Sequence, residues 1–390
     1  MSETITYEYQ TVTSEKLTKY IIENESLHKY FKQDWEKLKA KQYCGIINYD
    51  NTDYYILPKI ANHDNDTNLN IFIYMLIYSY DLKVHNEDLS NSLNLKSNNI
   101  LEVFIQMFAK NLFAQFQKGT YKEYITEQDN LTTLRGKYLI NENLKYNFTN
   151  SKIYCEYDEF SEDNELNQFF LYAVKILMKY TKNKKLLKQC ELVLNEVTQR
   201  EFDIEKVNIH FNRLNNRFKE SFEFALLLLK KSIPSFSKDK KGFAFLFDMN
   251  DLFELFIGKL YNDIDNSTKL QYTEKFGSLQ LKPDIIIHEI IIDCKYKIID
   301  NKKASREDRY QMYVYANNFR NIKSTLLLYP KHLDVMNQNM TLGNNDNKVE
   351  LKISSIDLDF DGGYDEYIDE IKKRLENMID ANRNKNYRSY

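Results

Sequence analysis

Two carboxylates and an ammonium group lie close together in one short stretch of the sequence. Asp284, Asp293 and Lys295 surround two isoleucine triplets that flank the pair His288-Glu289. Isoleucine favours strands, and the polar pair is the natural place for the chain to turn. In an antiparallel ribbon whose loop is centred on this pair, Asp284 faces Asp293 at the open end.

This pairing has a chemical consequence. Residues directly opposed in an antiparallel pair have Cβ atoms about 4.5–5.5 Å apart. Two carboxylates at that separation repel each other unless a cation lies between them or one of them is protonated. Oxygen ligands suit Mg²⁺ or Mn²⁺, and Lys295 projects from the same strand face as Asp293. The pattern predicts a divalent-metal site beside an ammonium group; a structural ion pair at a sheet edge is the alternative. His288 is expected to be exposed and without a role.

The segments around the ribbon alternate between helix and strand patterns, which predicts an α/β arrangement for the last part of the chain. The predicted helices cover residues 249–261, 307–319 and 364–381. The predicted strands cover residues 285–295, 324–329 and 349–360.

The earlier part of the chain is predicted to be β-rich first and helical afterwards. A short helical piece around Trp35 precedes a hairpin of strands 43–49 and 54–57, followed by helix over 69–119, strand over 132–140 and helix over 165–232. Residues 235–242 are polar and basic and end in glycine, which indicates a hinge. We therefore predict an α+β or α/β multidomain protein with an N-terminal domain (1–160), a basic helical segment (161–241) and a C-terminal domain (242–390).

Composition excludes several classes of protein. The apolar share of 43% supports folded cores, and a net charge of −3 argues against a general nucleic-acid coat. The excess of basic residues in 161–241 fits a polyanion-facing surface or a set of solvated helices equally well. The four cysteines are scattered, which argues against structural zinc and disulfides and for a reducing, cytoplasmic location. The longest apolar stretches are too short to cross a membrane.

The acidic ribbon also resembles a known signature. Asp284, Asp293 and Lys295 match the PD-(D/E)xK nuclease motif, and their surroundings resemble the McrC family, the nuclease subunits of McrBC modified-cytosine restriction systems. The resemblance is carried by residues 245–250, 253–254, 293–297 and 308–316, and in the N-terminal half by residues 56–60, 75–82 and 134–137.

This resemblance implies a C-terminal restriction-endonuclease-like α/β domain and a Mg²⁺-dependent endonuclease. Asp284 and Asp293 would hold the metal, and Lys295 would orient water or offset charge on the phosphate. Glu254 matches the helix-borne acid of the superfamily and would reach the metal directly or through water, although by itself it reads as a surface carboxylate. Gln311 matches the glutamine of the fourth motif.

Neighbouring residues support less specific predictions. Tyr310, Met312, Tyr313 and Tyr315 are expected to serve core and helix packing. Lys297 fits a DNA phosphate contact or a solvated charge equally well.

The resemblance also implies partners. The sequence contains no G-x-x-x-x-G-K-[ST] motif, so GTP is expected on a separate McrB-like AAA+ GTPase hexamer that recognises double-stranded DNA carrying modified cytosine. The N-terminal half would contact that ring and stimulate its GTPase. Lys59, Arg135 and Lys137 are candidate contacts, with a structural salt bridge as the default for each.

Three alternatives remain open at this point. The chain could be a catalytically inactive regulator of an AAA+ NTPase, or a PD-(D/E)xK nuclease of another defence or repair system. A plain DNA-binding module fits least well, because the charge is poorly clustered and the carboxylates are paired.

Overall fold

The computed structural model describes residues 4–35, 37–50, 52–61, 64–82, 100–147, 151–237, 240–298, 304–344 and 347–386. The chain separates into two compact units. The first combines Met1–Ile100 with Lys231–Tyr390, and the second is Leu101–Lys230. None of the helices in the described ranges combines the length and the hydropathy that a membrane crossing needs.

The helices of the described residues are numbered in chain order. They are α1 (Glu15–Glu23), α2 (Glu25–His28), α3 (Asn65–Ser79), α4 (Ile100–Phe116), α5 (Ile140–Tyr146), α6 (Glu165–Leu177), α7 (Lys185–Val193), α8 (Lys219–Lys231), α9 (Met249–Ile264), α10 (Arg306–Asn318) and α11 (Tyr364–Asn386).

The strands of the first half are β1 (Ile5–Tyr7), β2 (Phe31–Asp34), β3 (Lys37–Ala40), β4 (Tyr43–Tyr49), β5 (Thr52–Leu57), β6 (Glu123–Leu131), β7 (Lys137–Tyr138) and β8 (Ile153–Ser161). Those of the second half are β9 (Ser232–Ser237), β10 (Lys240–Asp248), β11 (Lys269–Leu270), β12 (Glu274–Phe276), β13 (Leu279–Leu281), β14 (Ile285–Ile287), β15 (Ile290–Cys294), β16 (Ser324–Pro330), β17 (Asn337–Leu342) and β18 (Val349–Ile356).

A five-stranded sheet of the first unit joins distant parts of the sequence in the order β1-β5-β4-β10-β9. The predicted hairpin of β4 and β5 is confirmed. Strand β10 pairs with β4 along Phe243–Asp248, where the backbones come so close that a Cβ on Gly45 would lie 2.1 Å from the carbonyl oxygen of Phe245. Residues predicted to begin the C-terminal domain thus complete an N-terminal sheet. The boundaries of the compact units also differ from those predicted at 160 and 241, and the three-part functional division stays a prediction.

A six-stranded sheet of the first unit carries the isoleucine ribbon, in the order β11-β14-β15-β16-β18-β17. Strands β15, β16 and β18 are parallel, and α10 connects the first two, as parallel neighbours require. Met312 and Tyr315 of α10 pack with Ile291, Leu327 and Leu351 of these strands in one hydrophobic cluster. The predicted helices and strands of this region are confirmed.

The second unit combines helices with a three-stranded sheet in the order β6-β8-β7. Phe169 and Phe170 of α6 are completely buried, as is Phe218 just before α8. The predicted helix over residues 165–232 is interrupted, because residues 198–215 contain turns and irregular backbone.

Three local predictions are wrong. The supposed hinge is a hairpin in which Gly242 pairs with Ser235; residues 238–239 lie outside the described residues. Trp35 lies at the turn between β2 and β3, with a left-handed φ of +56°. In the supposed strand 132–140 only Lys137–Tyr138 is strand, since the long strand, β6, precedes it. In each case the strand partner, rather than local composition, decides the structure. Residues 83–99 of the predicted helix 69–119 lie outside the described residues.

Candidate active site

The isoleucine ribbon has the register that the sequence predicts. Ile285 lies opposite Ile292, Ile286 opposite Ile291 and Ile287 opposite Ile290. The chain turns at His288-Glu289, where His288 has a left-handed φ of +51°. The open end of the ribbon therefore brings together the segments that carry the two aspartates.

The two aspartates have different surroundings. Asp284 precedes β14, and its Oδ2 accepts a hydrogen bond from the backbone N–H of Cys294 at 2.8 Å. Asp293 lies in β15 with a side chain that is only 1% exposed. Its Oδ1 accepts no hydrogen bond from any described residue. A buried carboxylate oxygen without a donor is unfavourable, so a cation bound there would be stabilising.

Burial and a neighbouring acidic charge raise the pKa of each aspartate. For Asp284 the largest cause is burial, followed by the charge of Glu254, and together they outweigh the hydrogen bond from Cys294. For Asp293 the largest cause is again burial, followed by the charge of Asp284, and together they outweigh Lys295. A cation near both carboxylates would offset the repulsion and favour their ionised forms.

Lys295 contacts Asp293 directly. Its Nζ forms an ion pair with Asp293 Oδ2, and its backbone N–H donates to the carbonyl of Leu328 at 2.9 Å. Burial by itself lowers the pKa of Lys295, but the charge and hydrogen bond of Asp293 outweigh burial and the pKa is raised. A charged ammonium group thus lies beside the carboxylates, with 22% of the side chain exposed.

Helix α9 positions Glu254 beside the aspartates. Asp248 caps the helix by accepting a hydrogen bond from the N–H of Asn250 at 2.9 Å. The buried stripe of the helix contains the residues predicted for it, Leu252, Phe253, Phe256, Ile257 and Leu260. Glu254 is half-buried on its flank, and burial, followed by the charge of Asp293, raises its pKa. Glu254 therefore lies close enough to Asp293 for their charges to interact, which is consistent with the prediction that both belong to one site.

Gln271 joins Glu254 to Asp284 and is not among the predicted site residues. Its Nε2 contacts Glu254 Oε1 and donates to Asp284 Oδ1 at 3.3 Å. Its backbone N–H donates to the carbonyl of Asp284 at 2.8 Å, with a left-handed φ of +49°. No sequence signal could have found this glutamine, because its position depends on the pairing of β11 with β14.

The side chain of Gln311 forms a hydrogen bond with Tyr315. Its Nε2 donates to the hydroxyl of Tyr315 at 2.8 Å, and that hydroxyl donates to the carbonyl of Lys282 at 3.0 Å. Burial chiefly raises the pKa of Tyr315, with a contribution from the charge of Asp293. Gln311 is therefore connected to the acidic group through Tyr315, and its contact with phosphate or water stays a prediction.

The neighbours of Gln311 divide between core and surface. Met312 and Tyr315 are buried, as predicted for packing residues. Tyr310 is 56% exposed, and its hydroxyl accepts a hydrogen bond from Arg306 at 2.8 Å. Tyr310 therefore packs along its own helix and not in the core.

Asp308 is a second residue whose role was missed, although it lies in a motif that carries the family resemblance. It is 5% exposed in the first turn of α10. Its Oδ2 lies 2.6 Å from Lys297 Nζ and accepts a hydrogen bond from the hydroxyl of Tyr329 at 3.2 Å. Burial alone raises the pKa of Asp308, but Lys297 outweighs burial and the pKa is lowered. Lys297 thus has an ion-pair partner, which neither prediction for it included.

The turn end of the ribbon contains charges that are paired. His288 Nε2 lies 2.8 Å from Asp265 Oδ2, with 35% of the histidine side chain exposed. Glu289 Oε2 lies 2.8 Å from Lys323 Nζ. The prediction that His288 is exposed and without a role is wrong in part, since this side chain connects the turn to Asp265.

The residues at the open end fit a divalent cation. In the described ranges, no group of three or more His, Cys, Asp or Glu side chains has the arrangement of a complete metal site. Mg²⁺ needs less than this, because it keeps several waters and is commonly held by one or two carboxylates. Asp284 and Asp293 can supply these, and the donor-free Oδ1 of Asp293 is the observation that favours the fit.

The basic residues proposed for partner contacts form surface ion pairs. Arg135 Nη1 lies 3.5 Å from Glu159 Oε2, and Lys137 Nζ lies 3.3 Å from Glu156 Oε1. Lys59 is exposed. The salt-bridge default is thus confirmed for Arg135 and Lys137.

Comparisons with known proteins show similarity to one restriction system. The model of the family described as McrBC 5-methylcytosine restriction system component matches residues 38–330. A search of curated proteins gives no match. A chain of the refined half-complex from the tetradecameric assembly of Thermococcus gammatolerans McrB AAA+ hexamers with bound McrC has a similar fold, with a TM-score of 0.66 and 23% identity over 96% of this chain and 99% of that chain.

A second solved structure is similar over a smaller part of the chain. A chain of the cryo-EM structure of the Thermococcus gammatolerans McrBC complex has a TM-score of 0.51 and 28% identity over 67% of this chain and 87% of that chain. The family model covers well over half of the sequence. The chain therefore belongs to the family of McrBC 5-methylcytosine restriction system components.

Proposed function

We propose that this chain is the nuclease subunit of an McrBC-type complex, similar to McrC, with a PD-(D/E)xK site that hydrolyses DNA phosphodiester bonds with Mg²⁺. The proposal is supported chiefly by the environment of the Asp293 carboxylate. Asp293 is buried and repelled by Asp284, contacts Lys295, and has one carboxylate oxygen without a donor among the described residues. Such an arrangement is unfavourable for stability and suits a cation and an anionic substrate.

Each residue of the site has a role in this mechanism. Asp284 and Asp293 would hold Mg²⁺, with Glu254 reaching it directly or through water. When bound, Mg²⁺ polarises a phosphate oxygen and lowers the pKa of water. Lys295, held by Asp293, offsets the charge that develops on the phosphate or orients the attacking water. Gln311 would contact the phosphate or that water.

The GTPase activity is assigned to a partner protein. This sequence has no phosphate-binding loop motif. The similar Thermococcus gammatolerans assembly contains McrB AAA+ hexamers with bound McrC, and we transfer that arrangement to this chain. In the proposal the complex recognises double-stranded DNA with modified cytosine, and this chain stimulates GTP hydrolysis by the ring.

The sheet of β6, β7 and β8 is the surface that we assign to partner contact. The segment that contains Arg135 and Lys137 exposes several apolar side chains, which are Tyr124, Leu134, Tyr138, Ile140, Leu144, Tyr146 and Phe160. Exposed apolar surface is typical of an interaction site. This observation favours Arg135 and Lys137 over Lys59 as partner contacts.

The proposal is tested by DNA cleavage and GTP hydrolysis measured in the same reactions. The chain is combined with its GTPase partner, GTP, Mg²⁺ and methylated DNA, and the wild type is compared with Asp293→Ala. We expect cleavage by the wild type only, and equal stimulation of GTP hydrolysis by both proteins. EDTA should abolish cleavage.

Two other outcomes would replace the proposal. If both proteins stimulate GTP hydrolysis and neither cleaves DNA, the chain is a regulator without nuclease activity. If the wild type cleaves DNA without a GTPase partner, it is a nuclease of another system.

A further inference from the structure

A buried polar cluster connects the N-terminal strand to the segment that carries Lys295. Glu8 follows β1, Tyr296 follows Lys295, and His332 follows β16. The side chains of Glu8 and His332 are 1% and 4% exposed, and Tyr296 is 2% exposed. None of these residues belongs to the site described above.

One oxygen of Glu8 is the centre of the cluster. Glu8 Oε1 accepts a hydrogen bond from the Tyr296 hydroxyl at 2.7 Å and lies 3.2 Å from His332 Nε2. The backbone N–H of Lys59 donates to the same oxygen at 3.4 Å. The Tyr296 hydroxyl is also 3.0 Å from His332 Nε2. Four separate segments of the chain therefore meet at one buried carboxylate.

Tyr296 is also held at its backbone and its ring. The hydroxyl of Tyr9 donates to the carbonyl of Tyr296 at 3.4 Å. The ring centroid of Phe253 lies 5.8 Å from that of Tyr296, and Phe253 directly precedes Glu254. Tyr296 thus connects the segment that carries Lys295, to which it belongs, with the helix that carries Glu254.

The cluster is more polar than packing requires. Glu8 Oε2 and His332 Nδ1 have no hydrogen-bond partner among the described residues. An unsatisfied buried polar atom is destabilising, whereas an apolar cluster would contain no such atom. The polar side chains of the cluster are therefore not explained by stability alone. One of them, Tyr296, directly follows Lys295 in the chain.

We propose that Glu8 and Tyr296 are positioning residues for Lys295, so that the N-terminal segment sets the geometry of the nuclease site. This inference rests on the proposed function. Glu8 and Tyr9 hold Tyr296 at its hydroxyl and its carbonyl, and Tyr296 holds the backbone next to Lys295. A small displacement of a group that must align with a phosphate can cost about 100-fold in rate.

The first test separates positioning from folding. Tyr296→Phe and Glu8→Ala each remove the central hydrogen bond, whereas Glu8→Gln keeps an acceptor oxygen. Tyr367→Phe is the matched control, because Tyr367 is fully buried and its hydroxyl has no hydrogen-bond partner among the described residues. In the complex with the GTPase partner, Tyr296→Phe and Glu8→Ala should lower kcat about 10-fold or more with little change in the KM for DNA. Glu8→Gln should restore most of kcat, and the control should match the wild type.

The second test does not depend on activity. The rate at which acetic anhydride labels Lys295 in the metal-free full chain is measured by mass spectrometry, with the exposed Lys323 at the turn end of the ribbon as the internal reference. Tyr296→Phe should increase labelling of Lys295 and leave Lys323 unchanged, and Glu8→Gln should be close to the wild type.

The outcomes distinguish the inference from the proposed function. Unchanged kcat and unchanged labelling in Tyr296→Phe and Glu8→Ala would overturn the inference, as would equal loss in the Tyr367→Phe control. If the wild type does not cleave DNA but Lys295 labelling responds as expected, the proposed function fails and the positioning role stands.

Discussion

The two ends of the isoleucine ribbon both carry ionisable side chains, and they differ in how these side chains are satisfied. At the turn, His288 and Glu289 are partly exposed; His288 contacts Asp265, and Glu289 forms an ion pair with Lys323. At the open end, Asp293 is buried and Asp284 is half-buried. The pKa of each is raised by burial and by another acidic charge, that of Asp284 by Glu254 and that of Asp293 by Asp284. Exposed pairs of the first kind contribute little, whereas buried repelling carboxylates persist where chemistry needs them. The comparison indicates that the site is identified by acidic side chains removed from water without a sufficient counter-charge, and not by the presence of charged residues alone.

The largest expected difference between the two ends is in catalysis. Asp284→Asn should lower kcat for DNA cleavage by about 10²- to 10³-fold, the range for loss of one electrostatic stabiliser, because it removes a metal-binding charge. Glu289→Gln, the isosteric change at the turn, should change kcat less than about 2-fold, since its ion pair is exposed. Cleavage rates of both variants in the complete complex check this prediction. Equal effects would remove the distinction between the two ends.

A smaller effect is expected at Gln271. Gln271→Leu keeps the volume but removes the donor that joins Glu254 to Asp284. Loss of such a supporting contact typically costs about 10- to 100-fold in metal affinity or activity. Titration calorimetry with Mg²⁺ and the cleavage rate measure the two quantities. Gln280→Leu is the control, because Gln280 is exposed on β13; a loss of the same size there would contradict the assigned role.

The stability of the metal-free protein should depend on pH through the open end. The folded-state pKa values of Asp284 and Asp293 are raised above the unfolded value of about 4. Protonation therefore favours the folded state, and the contribution of these groups is fully present below about pH 4 and lost as the pH rises through the raised values. Mg²⁺ should raise the Tm more at about pH 8 than at about pH 5, because it binds the ionised carboxylates.

Thermal denaturation with EDTA and with Mg²⁺ at the two pH values measures this difference. Asp284→Asn and Asp293→Asn together should abolish it. A Mg²⁺-dependent Tm increase that is equal at both pH values, or that persists in the double variant, would show that the effect arises elsewhere.

The smallest effect is expected at the turn. His288→Ala should lower the free energy of unfolding by less than about 1 kcal/mol, because the contact with Asp265 is partly exposed, and should leave kcat unchanged. Chemical denaturation and the cleavage assay check both parts. A loss of activity would mean that the turn end also takes part in the reaction.

The features that depend on neighbouring residues in the chain could be predicted from the sequence. The ribbon register follows from isoleucine preference and a two-residue turn, so Asp284, Asp293 and Lys295 could be placed near one another. The stripe on α9 follows from helical spacing, but the placement of Glu254 beside the aspartates came from the family resemblance. Gln271 could not be found, because its contact with Asp284 depends on pairing between β11 and β14.

Contacts between distant segments explain the remaining differences. The partner of Lys297 is Asp308, which another element supplies. Strand β10 joins β4 across about half of the chain. This distant pairing continues the hairpin that residues 235–242 form, and their polar composition alone does not reveal it. Local periodicity predicts elements, whereas pairing between distant elements decides which polar side chains meet.

The open end of the ribbon is expected to bind a divalent cation between Asp284 and Asp293. Anomalous diffraction from crystals soaked in Mn²⁺ would locate such a cation. We expect one strong peak within about 2.0–2.2 Å of a carboxylate oxygen of each aspartate, absent from Asp293→Asn crystals. A fully soaked wild-type crystal with no peak at this position, or with the same peak in Asp293→Asn, would contradict it.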